Sequence, residues 1–294
     1  MLVNRSREVQ VLPLIKSLRP KQWIKNLIVF AGLIFSRNVF DGSMQIKVWL
    51  TFITFCGIVS AVYLINDTVD RESDRLHPEK KFRAIASGEL KPKVAVFSAI
   101  ALVILSISLS LAVNLTLPLF LLAYLALQIA YTLFLKHFVI IDVLVIASGF
   151  VIRAAVGAAV INVAISPWLI VCTLLLALFL SLAKRRAELV SLEDEAAAHR
   201  RNLAHYSTEL VDQMIVITAS ATIVSYSLYS FTAYDTTKMM WTIPFVLYGI
   251  FRYLYLINSK SSGGSPEIAL LTDRPLLINT FLWAATAVII LQYF

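Results

Sequence analysis

The chain has 294 residues, 59% hydrophobic and only 15% charged, with a mean hydropathy of +0.79 and a formal net charge of +8. Soluble domains carry about one quarter charged residues, so this composition excludes an ordinary soluble globular protein. It indicates instead an all-α, polytopic membrane helical bundle, read as one membrane domain over residues 1–294. The two cysteines, Cys56 and Cys172, lie inside apolar runs and suit reduced packing roles, with neither disulfide nor Cys/His metal spacing.

Residues 1–22 are polar and basic and lack the apolar core of a signal peptide. About nine transmembrane helices are predicted after them, at roughly 24–40, 46–66, 94–113, 117–135, 138–158, 166–184, 212–231, 240–257 and 275–293. With the N-terminus in the cytoplasm, the outside connections hold only Arg37, Lys47 and Lys238, and nearly all other basic residues fall inside. That asymmetry accounts for the net charge without a nucleic-acid partner. It also places the long polar connections 67–93, 184–211 and 258–274 on the cytoplasmic face of the plasma membrane, over the expected site.

The first span opens with "SLRPKQWIKN" (17–26), where Lys25 is expected to point into the bundle while Lys21 and Trp23 anchor at the interface. The second ends in "YLINDTVDRESD" (63–74). If the helix continues, Asn66, Asp70 and Asp74 share one face, Tyr63 lies a turn earlier, and Asp67 lies alongside. Four oxygen-bearing side chains converging there suit Mg²⁺, which is held by one or two carboxylates plus substrate phosphates. A solvated helix end, with Asp74 paired to Arg71 or Arg75, is the competing reading. The next stretch, "HPEKKFRAIASGEL" (77–90), adds Lys80, Lys81 and Arg83 and favours a site for a metal-bound phosphate or diphosphate.

Farther along, "YTLFLKHFVIID" (131–142) brings Tyr131 and Lys136 to an inner boundary, where a snorkelling lysine is the plainer explanation. Asp142 and Arg153, eleven residues apart on the fifth span, face the same way. A guanidinium at membrane depth calls for a polar cavity, with an ion pair between the two as the alternative. "SLAKRRAEL" (181–189) contributes Lys184 and Arg185, and "SSGGSPEIALLTDRPLL" (261–277) reads as a Gly/Ser turn, a short apolar segment and Pro275 at the start of the last span.

"NDTVDRESD" resembles the N-D-x-x-D-x-x-x-D motif of the UbiA superfamily of intramembrane prenyltransferases, nine-span bundles whose aspartates hold a Mg²⁺-diphosphate in a cytoplasm-facing cavity. More narrowly, "LRPKQWIKN", "HPEKKFRAIASG", "YTLFLKHFVIIDVLVIASGFVIRA", "KRRAEL" and "GGSPEIALLTDRPL" are similar to the decaprenyl-phosphate phosphoribosyltransferase branch. There the donor is phosphoribosyl pyrophosphate (PRPP), the acceptor is a polyprenyl phosphate, and the product is a precursor of lipid-linked arabinose for the cell envelope.

Two departures stand out: Arg83–Ala84 replaces the usual Arg-Pro, and "KRRAELVSLEDE" stands where prenyl-transferring members carry a second D-x-x-x-D motif. The resemblance implies Asp67, Asp70 and Asp74 as the catalytic acids, with Asn66 and Asp70 binding Mg²⁺. Lys25, Tyr63, Lys80, Arg83, Tyr131, Lys136 and Arg153 would hold the donor's diphosphate and 5-phosphate. Lys184 and Arg185 are the candidates for the acceptor phosphate. Two other functions stay open: a prenyltransferase moving a prenyl group to an aromatic acceptor, and a transporter with a midplane ionisable site. The lipid length and a homo-oligomer are also left open.

Overall fold

The computed structural model describes residues 11–192, 205–234, 237–259 and 266–293. Its elements are helical throughout. The regular helices are α1 (Ala31–Phe35), α2 (Gly42–Val69), α3 (Arg71–Leu76), α4 (Ala84–Ser87), α5 (Pro92–Leu111), α6 (Thr116–Leu133), α7 (Ile141–Ala159), α8 (Pro167–Leu192), α9 (Thr208–Thr232), α10 (Ile243–Ser259), α11 (Pro266–Thr272) and α12 (Arg274–Tyr293). Eight helical stretches among the described residues are long and apolar enough to cross a bilayer, matching the second to ninth predicted spans.

The predicted first span is not an α-helix. Pro20–Phe30 winds as a 3₁₀-helix and passes into the short α1. Two glycines explain why it lies so close to α7. A Cβ on Gly157 would sit 1.9 Å from the Val29 carbonyl oxygen, and one on Gly32 would sit 2.6 Å from the Ala158 backbone. Small residues at helix contacts let backbones approach where no hydrophobic force separates lipid from protein. The 11 and 5 residues of the two pieces rise about 30 Å together, because a 3₁₀ coil climbs about 2 Å per residue, so this segment has the length of a ninth crossing.

Two further boundaries moved. Helix α8 runs on to Leu192, so residues 184–192 of the predicted 184–211 connection are helical. The predicted span 240–257 is a 3₁₀ turn, Thr237–Thr242, followed by α10. Residues 193–204 and 260–265 of the predicted connections lie outside the described residues, as does the Gly/Ser turn within the latter.

Helix α2 is the most enclosed span. It packs on α5 through small residues, with Gly57 against Ser106 and with Ala61, Ala95 and Ala99 fully buried. The opposite face of α5 exposes Phe97, Ile100, Ile104 and Leu105, which suits acyl chains. Because α2 is surrounded by the N-terminal segment, α5, α6 and α7, its inner end delivers the acidic stretch into the middle of the bundle.

Candidate active site

The main-chain ladder of α2 carries through the acidic stretch. Asp70 N–H donates to the Asn66 carbonyl at 2.8 Å, and Asp74 N–H to the Asp70 carbonyl at 2.8 Å. The expected Asn66–Asp70–Asp74 register therefore holds, although the helix axis breaks at Asp70 (φ −85°, ψ 4°) and restarts as α3.

What the side chains do differs from the expected convergence. Asp67, 3% exposed, accepts from Arg19 Nη2 at 2.6 and 2.8 Å and from Arg83 Nη1 at 3.0 Å. The same Arg83 nitrogen reaches Asp74 Oδ2 at 2.7 Å, so one guanidinium ties two carboxylates together. Asp74 thus pairs with Arg83, where the solvated-end alternative paired it with Arg71 or Arg75. Asp70 instead accepts from Lys136 Nζ, and the Asn66 amide oxygen accepts from Thr132 Oγ1 at 3.2 Å. Among the described residues, no three carboxylates, histidines or cysteines come together as a closed metal cage. The cations separate the acids.

Local backbone explains how the cations arrive. Arg19 sits in the left-handed region (φ 52°) just before Pro20, and its guanidinium lies 4.6 Å from the Tyr63 ring centroid. Arg83 caps α4 in extended conformation (ψ 140°) with Ala84 as the first helical residue. A proline favours that position and imposes that conformation on the residue before it, so the Arg-Ala departure leaves the local path intact. Gly88 ends α4 at φ 88°, a conformation open to glycine.

Burial pushes the Asp74 carboxyl above its ordinary value, with Arg83 opposing the shift. Of the other expected donors, Lys25, Tyr63, Lys80 and Tyr131 are half-buried, and Lys184 is exposed in the C-terminal third of α8.

Deeper in the bundle, Arg153 is 6% exposed. It donates to Asn26 Oδ1 at 2.8 Å, to the Gly149 carbonyl at 2.9 Å and to Tyr124 OH at 2.7 Å, and it lies 4.7 Å from the Tyr124 centroid. All of these partners are neutral. The alternative of an Asp142–Arg153 ion pair is overturned, because eleven residues of helix separate the two by about 16 Å. Asp142 pairs instead with Arg185 at 2.8 Å.

Hard oxygens on successive turns, from Asn66 and Asp70, suit Mg²⁺ that takes its remaining ligands from phosphates and water. Cations on the same side suit those phosphates. The donor set fits a metal-diphosphate.

The profile described as the UbiA prenyltransferase family matches residues 27–291. The chain belongs to this family. It is 35% identical over 289 residues to the decaprenyl-phosphate phosphoribosyltransferase of Mycolicibacterium smegmatis, covering 93% of this chain and 90% of that protein. It is 34% identical over 280 residues to the enzyme of the same name from Corynebacterium glutamicum, covering 92% and 84%. Among solved structures, a UbiA homologue from Archaeoglobus fulgidus bound to DMAPP and Mg²⁺ shares the fold, with a TM-score of 0.72 at 18% identity, covering 96% of this chain and 99% of that one. This UbiA-family chain is therefore an integral membrane transferase, which removes the transporter reading.

In this UbiA scaffold the sequence reading and the geometry part at a few residues. Arg19, a cation of the "SLRPKQWIKN" stretch with no expected role in the site, holds the most buried acid of the motif. Asn26 and Tyr124, which hold Arg153, had no signal at all, because hydrogen bonds to neutral side chains leave no mark in sequence spacing. Trp23, expected at the interface, turns inward and donates to Ser60 at 3.1 Å. Arg185, expected to meet an acceptor phosphate, is 3% exposed and committed to Asp142 and Glu188.

Proposed function

We propose that the chain transfers the 5-phosphoribosyl group of PRPP to a polyprenyl phosphate of decaprenyl type at the cytoplasmic face of the plasma membrane, releasing diphosphate and yielding a lipid-linked pentose precursor for the cell envelope. The observation that carries this reading is Arg153. A prenyl diphosphate has one anionic end and a hydrocarbon tail, which gains nothing from a guanidinium buried well below the acidic motif. PRPP is anionic at both ends, and Arg153 suits its 5-phosphate while Lys136, Arg83 and Lys80 suit its diphosphate. The names of the relatives point the same way.

Asn66 and Asp70 hold Mg²⁺ in this reading, and when bound it neutralises charge building on the departing diphosphate. Lys136 gives up Asp70 and turns its ammonium to the leaving group. Asp67 and Asp74 keep Arg19 and Arg83 aimed at the same place, with Tyr63, Tyr131 and Lys25 completing the wall. The acceptor phosphate, steered by Lys184, attacks the anomeric carbon. The bond from that carbon to the diphosphate oxygen breaks as the new carbon–oxygen bond forms on the opposite face, inverting the centre. The nucleophile is already an anion, so no general base is needed.

The test uses purified protein with Mg²⁺, PRPP and polyprenyl phosphate, measuring lipid-linked phosphoribose and diphosphate. Asp70→Ala and EDTA should each lower turnover by orders of magnitude, as loss of preorganised charge stabilisation does. Full activity in either condition removes the metal assignment. Consumption of a prenyl diphosphate with an aromatic acceptor, and not of PRPP, overturns the reaction.

A further inference from the structure

Between Lys136 and α7 the backbone takes an unusual path. Ile140 adopts φ 69° and ψ −45°, a region that a β-branched side chain enters only under constraint. The Ile141 N–H donates to the Val139 carbonyl at 2.8 Å and closes a strained three-residue γ-turn. One phenol holds this turn from outside. Tyr206 OH accepts from the Ile140 N–H at 2.7 Å and donates to Asp142 Oδ1 at 2.9 Å, while Asp142 Oδ2 accepts from Arg185 at 2.8 Å. Asp142, Arg185 and Tyr206 are 0%, 3% and 6% exposed. Burial pushes the Tyr206 phenol up to about 12, so it stays protonated and able to donate to Asp142. The buried ion pair thus fixes Tyr206, and Tyr206 fixes the strained turn. That turn stands four residues after Lys136, which reaches Asp70.

We infer that Tyr206 is a positioning residue for Lys136: by pinning the Ile140 turn against Asp142, it sets where the Lys136 ammonium meets the donor's diphosphate. The inference rests on the proposed role of Lys136 in the donor site. It also gives the Asp142–Arg185 pair a function, bracing the phenol, in place of direct contact between Arg185 and the acceptor.

A double-variant cycle on the full chain tests this, with PRPP, polyprenyl phosphate and Mg²⁺ as probes and unfolding temperature recorded throughout. Tyr206→Phe should lower kcat/KM for PRPP about tenfold, the scale expected when a reacting group is misplaced by a fraction of an ångström to an ångström, and leave KM for polyprenyl phosphate unchanged. In the Lys136→Ala background, Tyr206→Phe should cost nothing further. Adding Ile140→Gly to Tyr206→Phe should restore activity, because glycine holds positive φ without strain. Multiplicative losses, an undiminished Tyr206→Phe beside a damaged Lys136→Ala, or no recovery with Ile140→Gly would each overturn this inference alone. Lys136→Ala at full activity would overturn it together with the assigned role of Lys136.

Discussion

Asp67 and Asp70 lie three residues apart, yet their surroundings give them different roles, and two isosteric variants separate those roles. Asp67→Asn keeps the shape of the side chain but removes the negative charge that faces two guanidiniums. Breaking a fully buried ion pair by removing one partner costs about 3–5 kcal/mol. Asp67 is buried, but Arg19 and Arg83 keep 26% and 25% of their side-chain surface exposed, so part of that cost is screened. A loss of about 2–3 kcal/mol is the expected net effect. At about 2 °C per kcal/mol for a chain of this size, the unfolding midpoint should fall roughly 4–6 °C.

Asp70→Asn leaves a single ammonium, on Lys136, with an amide oxygen still able to accept from it. About 1 kcal/mol, or roughly 2 °C, should be lost there, while turnover should fall by about 10²–10³ if the proposed metal-binding charge of Asp70 is removed. Thermal unfolding of the detergent-solubilised protein, followed by fluorescence of its five tryptophans, reads the first quantity, and PRPP-dependent transfer reads the second. An Asp67→Asn variant that melts with the wild type would refute the division of roles. So would an Asp70→Asn variant that loses more stability than Asp67→Asn.

Other consequences follow from the same geometry. Arg153→Met removes a buried charge but leaves the Asn26 amide oxygen and the Tyr124 hydroxyl buried without that donor, so stability should fall by about 1–3 kcal/mol. PRPP affinity should fall at least about tenfold, as read by titration. Asp74, with its carboxyl raised by burial, takes up a proton more readily folded than unfolded. Its contribution is most favourable below the ordinary Asp value of 3.8 and declines as the pH rises through that value towards the raised one. Wild-type stability measured against Asp74→Asn should therefore drop as the pH rises across that window, and a difference that grows with pH would contradict the assignment. Gly157→Ala drives a methyl group into the Val29 carbonyl and should cost about 3 kcal/mol or more in unfolding stability, whereas Gly42→Ala meets open space and should be silent.

The sequence by itself determined that this is a helical membrane bundle, where eight of its spans run, and which turn of α2 carries the acids. These properties are local: apolar run length sets a span, and a period of 3.6 residues sets a face. It also named Arg153 as a polar group out of place, since a charge in an apolar run is costly wherever the chain folds, and left Lys136 open between a snorkelling lysine at a boundary and a site residue. Tertiary structure alone decided the partners. Arg19 and Arg83 reach Asp67 across 48 and 16 residues, Asn26 meets Arg153 across 127, and Tyr206 meets Ile140 across 66. The first predicted span departs from an α-helix for a related reason: its backbone lies close against Gly157 and Ala158 of α7, a contact with a distant helix that the pattern of the segment does not mark. Packing of distant segments turned three acids and an asparagine that share a stretch of sequence into two tethers for arginines and one pair of oxygens suited to a metal.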